Sequence, residues 1–249
     1  MTTLAVFFNE RLQEVDSHLE FLDSMERSAR GGAPQFLRVE NAITTDQQKI
    51  LYSTVYLQLY NLVEATMSRC VEAVADAASS GAWVASDLIP ELQLEWVRAV
   101  ARTHVDLTPQ NRLVYAMELV KCVVDTLPLP PFKIEKGGGG NWDDKAIEAI
   151  SKRLGFRLRI SASVMTKVKQ KIRNDLGPIG LVKSLRNDLA HGAISFVECA
   201  GETDVAALRA IRDVTADYMR GVMQAFLSYI DEVRFVQEAR RPAVEIGNG

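Results

Sequence analysis

Four side chains that can take part in chemistry lie within a short stretch of one predicted helix: Arg186, Asn187, Asp188 and His191. An imidazole titrates near neutrality, so His191 can both accept and donate a proton. A guanidinium stays charged, so Arg186 can stabilise a phosphate but cannot act as a base. Cleaving RNA without a metal needs a base for the 2′-hydroxyl, an acid for the 5′-oxygen and a cation for the developing charge. These residue types are therefore suited to phosphodiester cleavage without a metal.

The positions of these residues around the helix indicate how they could act together. At about 100° per residue, Arg186 and His191 lie about 140° apart, whereas Asn187 and His191 share a face. The two catalytic candidates meet one ligand only if the last turn loosens before Gly192 or if two copies of the helix pack together. Because the other histidines, His18 and His104, are far away in sequence, we expect a homodimer in which two His191 side chains supply the acid and the base.

The elements that must position these residues are helices, because apolar residues recur at spacings of three and four. The sequence predicts an all-α bundle with at most a short β-hairpin, forming one domain over 1–249. It also predicts a flexible loop at 128–141 and a disordered tail at about 240–249. Helix starts are expected near Thr45 with Gln48, at Ser86, at Thr108 before Pro109, and at Asn141.

Two polar residues in the second predicted helix are candidates to support the motif. Asn61 and Glu64 are three residues apart in an otherwise apolar stretch, so both could point toward Arg186. A buried carboxylate needs a partner, and we expect Glu64 to pair with Arg186 or with another buried cation. Asp188 is a third supporting candidate. Tyr60 and the tyrosines four and eight residues before it are assigned to the core or a dimer face rather than to base stacking.

Charge is distributed unevenly along the chain. Residues 151–186 contain ten basic residues and one acidic residue, a net charge of +9, while the whole chain has −3, so the remainder carries −12. Such a block attracts polyanions, although a solvated helix face is the ordinary alternative. The predicted RNA-binding residues are Lys167, Lys169, Lys171, Arg173 and Lys183.

Composition excludes several classes of protein. The chain has 249 residues, of which 47% are hydrophobic and 24% charged, as expected for a globular fold. No export signal and no membrane-spanning run are apparent. Its three cysteines are widely spaced, which argues against a zinc site or a disulfide framework. We expect a cytoplasmic protein with no cofactor, no bound metal and no membrane association.

Three stretches of the chain resemble the HEPN-domain family, in its MAE-type branch. They are FNERLQEVDSHLEFL at 8–22, LYNLVEAT at 59–66, and RNDLAHG with the following ISF at 186–196, which contains an R-x(4)-H motif. The resemblance implies an α-helical domain, often a homodimer with facing motifs, that cleaves RNA without a metal. It also implies use as the toxin of a toxin–antitoxin or phage-defence pair, with an antitoxin or neighbouring-gene partner.

Carried over by position, Arg186 and His191 match the catalytic residues of the family, and Asn187 matches the polar residue that orients the site. One departure is Ala193, because family toxins silenced by nucleotide addition have Tyr two residues after the His. This form of control is therefore not expected here.

Two other functions are compatible with the same residues. A non-catalytic helical module could bind RNA or a partner protein through the basic residues. A metal-dependent nuclease is disfavoured because no Asp, Glu and His cluster has ligand-like spacing near the basic block.

Overall fold

The computed structural model describes residues 3–29, 42–136 and 141–242. Within these residues the secondary structure is α-helical and contains no sheet, as the sequence predicts. The helices are α1 (Thr3–Ala29), α2 (Thr45–Ser80), α3 (Pro90–Val100), α4 (Pro109–Val124), α5 (Asp144–Arg153), α6 (Ala162–Lys169), α7 (Pro178–Ala190), α8 (Phe196–Ala200) and α9 (Val205–Asp231). Among the described helices, none is both long and apolar enough to cross a membrane.

The chain divides into two compact units. The first comprises residues 1–67, 141–145 and 160–223, and the second comprises residues 68–140, 146–159 and 224–249. Helices α2, α5 and α9 each contribute residues to both units. The organisation of 1–249 as one domain stays a prediction.

The core of the first unit forms where α1, α2, α7 and the start of α9 turn their apolar faces inward. In α1, Phe8, Val15, Leu19 and Leu22 form an apolar stripe and are almost fully buried. From α7, Leu181, Val182 and Leu185 enter the same cluster. Burying a side chain of this size contributes about 1.5–3 kcal/mol, so α7 is held firmly by its apolar face and its polar face remains available.

The core of the second unit contains a cluster of aromatic rings. Phe156 stacks on Tyr229 at a centroid distance of 4.5 Å and meets Phe226 edge-on at 4.9 Å. The Tyr229 hydroxyl donates to the Leu154 carbonyl at 2.6 Å. This bond satisfies the one polar group of a buried ring, as a packed core requires.

Helix α2 begins at Thr45 as predicted, but its capping pair is displaced by one residue, and two other predicted helix starts are wrong by a few residues. The first capping box joins Thr44 to Gln47 through reciprocal bonds of 3.2 and 2.8 Å, one residue before the predicted pair at Thr45. Helix α3 begins at Pro90 rather than at Ser86, because a proline at that position cannot continue a helix from 86. Asn141 does not cap α5, which begins at Asp144.

The predicted start of α4 is confirmed. The Thr108 hydroxyl accepts a bond from the Asn111 N–H at 3.3 Å, and Pro109 is the first residue of α4. Gly192 follows α7 with φ +68.

Loops before α7 are shaped by two local features. Asn174 and Asp175 both have positive φ, and Leu176 donates its N–H to the Arg173 carbonyl at 2.9 Å, which closes a tight turn. Gly177 then passes so close to Val168 that a Cβ would lie 2.1 Å from its carbonyl oxygen. Only glycine fits there, and α7 starts at the next residue.

The predicted flexible loop at 128–141 lies partly outside the described residues, at 137–140. Its described part has no regular structure, but Leu129 and Ile134 are buried and the Leu129 N–H donates to the Trp83 carbonyl at 2.8 Å. The predicted tail overlaps 243–249, which also lies outside the described residues. Flexibility of either segment stays a prediction.

Candidate functional site

The motif helix α7 is positioned by its sequence at both ends. At its start, Gly177 occupies the N-cap and Pro178 the first helical position. At its end, the Ala193 N–H donates to the Asp188 carbonyl at 2.8 Å and the Gly192 N–H to the Leu189 carbonyl at 3.2 Å. These two bonds form a Schellman motif, which requires a left-handed residue and so explains the glycine. His191 is therefore the last residue before a fixed chain reversal.

Arg186 contacts three side chains of the first unit. Its guanidinium carbon lies 4.6 Å from the centre of the Tyr60 ring, and its Nη2 lies 3.8 Å from Glu64 Oε2. Its Nη1 donates to Asn187 Oδ1 at 2.9 Å. The Arg186 side chain is still 34% exposed, so the guanidinium is oriented by its neighbours and keeps a surface on which an anion could bind.

The Tyr60 ring lies beneath the Arg186 guanidinium. Burial raises the pKa of Tyr60, and the nearby Glu64 carboxylate raises it further, while a bond from the Trp142 backbone and the charges of Arg186 and Lys183 oppose the shift. The phenol therefore remains protonated at neutral pH. A neutral aromatic face beneath a guanidinium gives a cation–π contact of about 0.5–1 kcal/mol at a partly exposed site.

Residues 141–145 form a short polar segment that packs against α6 and α7. Asn187 Nδ2 donates to Asn141 Oδ1 at 3.2 Å, which links the motif to this segment. Asp143 forms an ion pair with Lys183, and Asp144 forms one with Lys169. Trp142, which lies between Asn141 and Asp143 in the sequence, is buried. The segment thereby fixes Asn187, whose carbonyl oxygen in turn orients Arg186.

His191 differs from the other motif residues in its exposure. It occupies the C-cap of α7, and within the described part of the chain its imidazole has no hydrogen-bond or ion-pair partner. Asp188 is half-buried, and the Ser184 hydroxyl donates to its Oδ2 at 3.4 Å. An exposed imidazole at this position is accessible for proton transfer, whereas Asp188 contributes its carbonyl to the chain reversal.

The supporting residues of α2 behave differently from each other. The predicted pair between Glu64 and Arg186 is present, but Glu64 is 42% exposed, so the expectation that its carboxylate is buried is wrong. Asn61 is exposed, and no hydrogen bond joins it to the motif in the described residues. Glu64 can orient Arg186, while the role of Asn61 stays a prediction.

The five predicted RNA-binding residues have distinct surroundings. Lys169, Lys171 and Lys183 each pair with an aspartate, the Lys171 pair being with Asp175 at 3.1 Å. Arg173 donates to the Cys199 carbonyl at 2.6 Å and so caps α8. Lys167 has no ion pair among the described residues, and it lines a cavity of about 590 Å³ together with Arg173.

This arrangement lowers the charge that three of these lysines present to a ligand. The block 151–186 is also divided between the two units, with Lys152, Arg153, Arg157 and Arg159 in the second.

The remaining histidines are engaged elsewhere. His18 lies 3.1 Å from Gln58 Nε2 and 3.3 Å from Thr54 Oγ1. His104 lies 3.3 Å from Glu135 in the second unit. Neither histidine is among the residues that contact Arg186 in the described part of the chain. One copy of the chain therefore supplies one imidazole, that of His191, to the motif helix.

The described residues contain no group of three or more His, Cys, Asp or Glu side chains arranged as in a metal site. Burial raises the pKa of the Cys70 thiol to about 12, so this cysteine is held as an unreactive thiol.

Tyr60 and the pair Asp143–Asp144 are the residues of this site that sequence reasoning missed. Tyr60 lies one helical turn before Glu64, and that i, i+4 spacing was the available signal. The two aspartates lie at the start of α5 and could be expected to attract lysines, but which lysines depends on the tertiary fold.

Comparison with known proteins places the chain in a family. The family model described as HEPN_MAE_28990-like HEPN matches residues 1–235. No curated protein matches the chain, and no solved structure does. Because the match extends over nearly the whole sequence and includes the motif helix, the chain belongs to the HEPN_MAE_28990-like HEPN family.

Proposed function

We propose that this protein is a metal-independent endoribonuclease of HEPN type, with Arg186 and His191 as catalytic residues and Asn187 as the residue that orients them. The observation that carries the proposal is that one helix bears both an oriented, partly exposed guanidinium and, at its C-cap, an exposed imidazole. Family membership supports an RNase or nucleotide-binding role in general, and this geometry favours the RNase.

In this mechanism Arg186 binds the scissile phosphate and stabilises the negative charge that builds on it. His191 removes the proton of the ribose 2′-hydroxyl, whose oxygen then attacks phosphorus. The 5′-oxygen leaves and takes a proton from a second acid. Since one chain brings one imidazole to the motif, we propose that His191 of the partner subunit is this acid in a homodimer. The products are a 2′,3′-cyclic phosphate and a free 5′-hydroxyl.

The experiment is cleavage of a labelled RNA by purified protein in EDTA, with the product ends analysed. We expect cutting to continue in EDTA and to leave cyclic phosphate ends. Arg186→Ala should abolish cleavage, whereas Arg220→Ala, which removes an exposed arginine paired with Asp217 on α9, should not. Cleavage that stops in EDTA and returns with a divalent cation would contradict the proposal.

We further propose that the protein acts in the cytoplasm as a toxin or phage-defence effector, with an antitoxin or a neighbouring-gene partner. Inducing the wild type should stop growth and degrade cellular RNA, and inducing the Arg186→Ala variant should do neither. Growth arrest with intact RNA would contradict this role without contradicting the nuclease chemistry.

A second candidate function is a non-catalytic protein-interaction or RNA-binding module. Its protein-interaction version is favoured by the ion pairs of Lys169, Lys171 and Lys183 with aspartates, because these pairs reduce the positive charge available to RNA. This version predicts no turnover of RNA by purified protein under any metal condition. A catalytic rate that depends on Arg186 would exclude it.

A further inference from the structure

The cavity of about 590 Å³ that Lys167 and Arg173 line lies entirely within the first unit. Its volume falls in the range of about 300–1,000 Å³ that is typical of small-molecule sites. Its walls are formed by the segment from α6 to the start of α7, by the α8–α9 turn, by α9 and by Tyr56 of α2. Lys167 and Ile172 are exposed lining residues, so the cavity is open to solvent. None of the lining residues belongs to the motif at 186–191.

Hydrogen-bond donors converge at one corner of this cavity, formed by Arg173, Tyr56 and Thr203. The Tyr56 hydroxyl lies 3.4 Å from Thr203 Oγ1, and Arg173 also bonds to it. Burial raises the pKa of Tyr56, although the hydrogen bonds with Thr203 and Arg173 and the charge of Arg173 oppose the shift. The phenol is therefore protonated at neutral pH. This polar corner presents a guanidinium and two hydroxyl groups, all of which can donate to an anionic oxygen.

The charge of the cavity lining favours an anion. A guanidinium has five N–H donors, so the bonds of Arg173 to the two carbonyls at the end of α8 leave further donors for a ligand. Lys167 also lines the cavity, and neither cation forms an ion pair with a carboxylate in the described part of the chain. Among the described lining residues, the acidic one is Glu202, whose fully exposed side chain pairs with Lys49 at 3.8 Å.

Most of the remaining lining is apolar. The loop before α7 contributes Ile172, which is 45% exposed. One face of α9 contributes small and branched side chains at spacings of three and four, namely Ala207, Ala210, Ile211 and Val214. A purely polar anion, such as a phosphate of an RNA backbone, would leave this apolar surface in contact with water. A ligand with an apolar body would cover it, and removal of apolar surface from water drives binding. The lining is therefore complementary to an anion that also carries an apolar body.

We propose that this cavity binds a small organic anion. Its acidic group accepts bonds from Arg173, Lys167 and the hydroxyls of the polar corner, and its apolar body packs against α9 and Ile172. Lys167 and Arg173, which the sequence assigns to RNA, thereby serve a small ligand. The proposal rests on the lining of this cavity and does not depend on the proposed nuclease function.

The experiment is isothermal titration calorimetry of the full chain with decanoate and, separately, with decylammonium. The two probes have the same alkyl chain and carry opposite charges. We expect decanoate to bind at one site and decylammonium not to bind. An apolar surface elsewhere on the protein would take up both probes, so the comparison isolates the charge of the cavity.

Two substitutions locate the binding at this cavity. Lys167→Glu reverses the charge of an exposed side chain and should raise the Kd for decanoate by about fivefold or more, the effect of losing one charge contact near the surface. Ala210→Phe places a ring on the apolar wall and should also raise the Kd, because the ring occupies space that the alkyl chain needs. Lys145→Glu is the matched control, since it makes the same charge change at an exposed lysine of the first unit that does not line the cavity. It should bind decanoate as the wild type does.

Circular dichroism on each variant checks that the helices are intact. Equal binding of decanoate and decylammonium would overturn the proposal, as would no binding at millimolar decanoate or an unchanged Kd in both Lys167→Glu and Ala210→Phe. A short RNA that binds with a dependence on Lys167 while decanoate does not bind would assign the cavity to RNA and would also overturn it.

Discussion

Tyr60 is predicted to act as a positioning residue for Arg186, and two substitutions separate this role from its place in the core. Tyr60→Phe keeps the ring beneath the guanidinium and removes the hydroxyl that bonds to the Trp142 backbone. Tyr60→Leu keeps an apolar side chain and removes the aromatic face. We expect the first variant to retain RNA cleavage and the second to lose part of it.

The expected magnitude follows from the contact distance. A guanidinium 4.6 Å from the ring centre at a partly exposed site gains about 0.5–1 kcal/mol. If that orientation is needed in the transition state, its loss lowers kcat/KM by about twofold to fivefold. Unfolding free energy should fall in both variants, by about 1 kcal/mol for the lost hydrogen bond in Tyr60→Phe and by about 1–3 kcal/mol for the incompletely filled core in Tyr60→Leu.

The assay measures kcat/KM on one RNA substrate and unfolding in denaturant for both variants and the wild type. The reasoning predicts that activity follows the aromatic face while stability falls in both. Equal loss of kcat/KM in Tyr60→Phe and Tyr60→Leu would refute it, because the hydroxyl rather than the ring would then control the site. Unchanged kcat/KM in Tyr60→Leu would show that Arg186 needs no such support.

The remaining predictions concern the ends of α7 and one partly buried histidine, His18. Gly177→Ala should lower the free energy of unfolding more than Gly192→Ala, because the new Cβ at 177 would lie 2.1 Å from the Val168 carbonyl oxygen. Gly192 has open space around it, so its replacement loses only the favoured left-handed backbone, about 1 kcal/mol. Denaturant titration of both variants checks this order. Burial lowers the pKa of His18, although a backbone bond at Leu51 opposes the shift. Because the folded pKa lies below the unfolded value of about 6.5, stability from this group is present above that pH and is lost as the pH falls through the folded pKa. His18→Gln should therefore reduce the acid-side loss of stability between about pH 7 and pH 5, measured by urea unfolding at several pH values, and an unchanged pH dependence would contradict the assignment.

Local sequence signals are sufficient for much of the fold. The helical character of the chain and the Thr108–Pro109 start of α4 each depend on residues within a few positions, and each is confirmed. The start of α3 was missed although its cause is also local, since Pro90 outweighs the capping preference of Ser86. Local chemistry therefore predicts helices well and their first residues less well.

The candidate site could be predicted only in part, because its contacts join distant parts of the chain. The pairing of Glu64 with Arg186 was predicted because a buried carboxylate needs a cation, and the pair is present although Glu64 is partly exposed. The pairing of Lys183 with Asp143 and of Lys169 with Asp144 could not be predicted from the sequence, because it depends on where the 141–145 segment packs against α6 and α7. Sequence charge alone therefore overstated the positive surface that these lysines present.

The most direct test of the central claim is the cleavage rate of His191→Ala beside His104→Ala in EDTA. Both variants remove one imidazole from a partly or fully exposed position, but only His191 belongs to the motif helix. The proposed mechanism predicts that His191→Ala lowers the rate by about 10²–10⁴-fold and that His104→Ala cleaves as the wild type does. A His191→Ala protein that cleaves RNA at the wild-type rate would contradict the account.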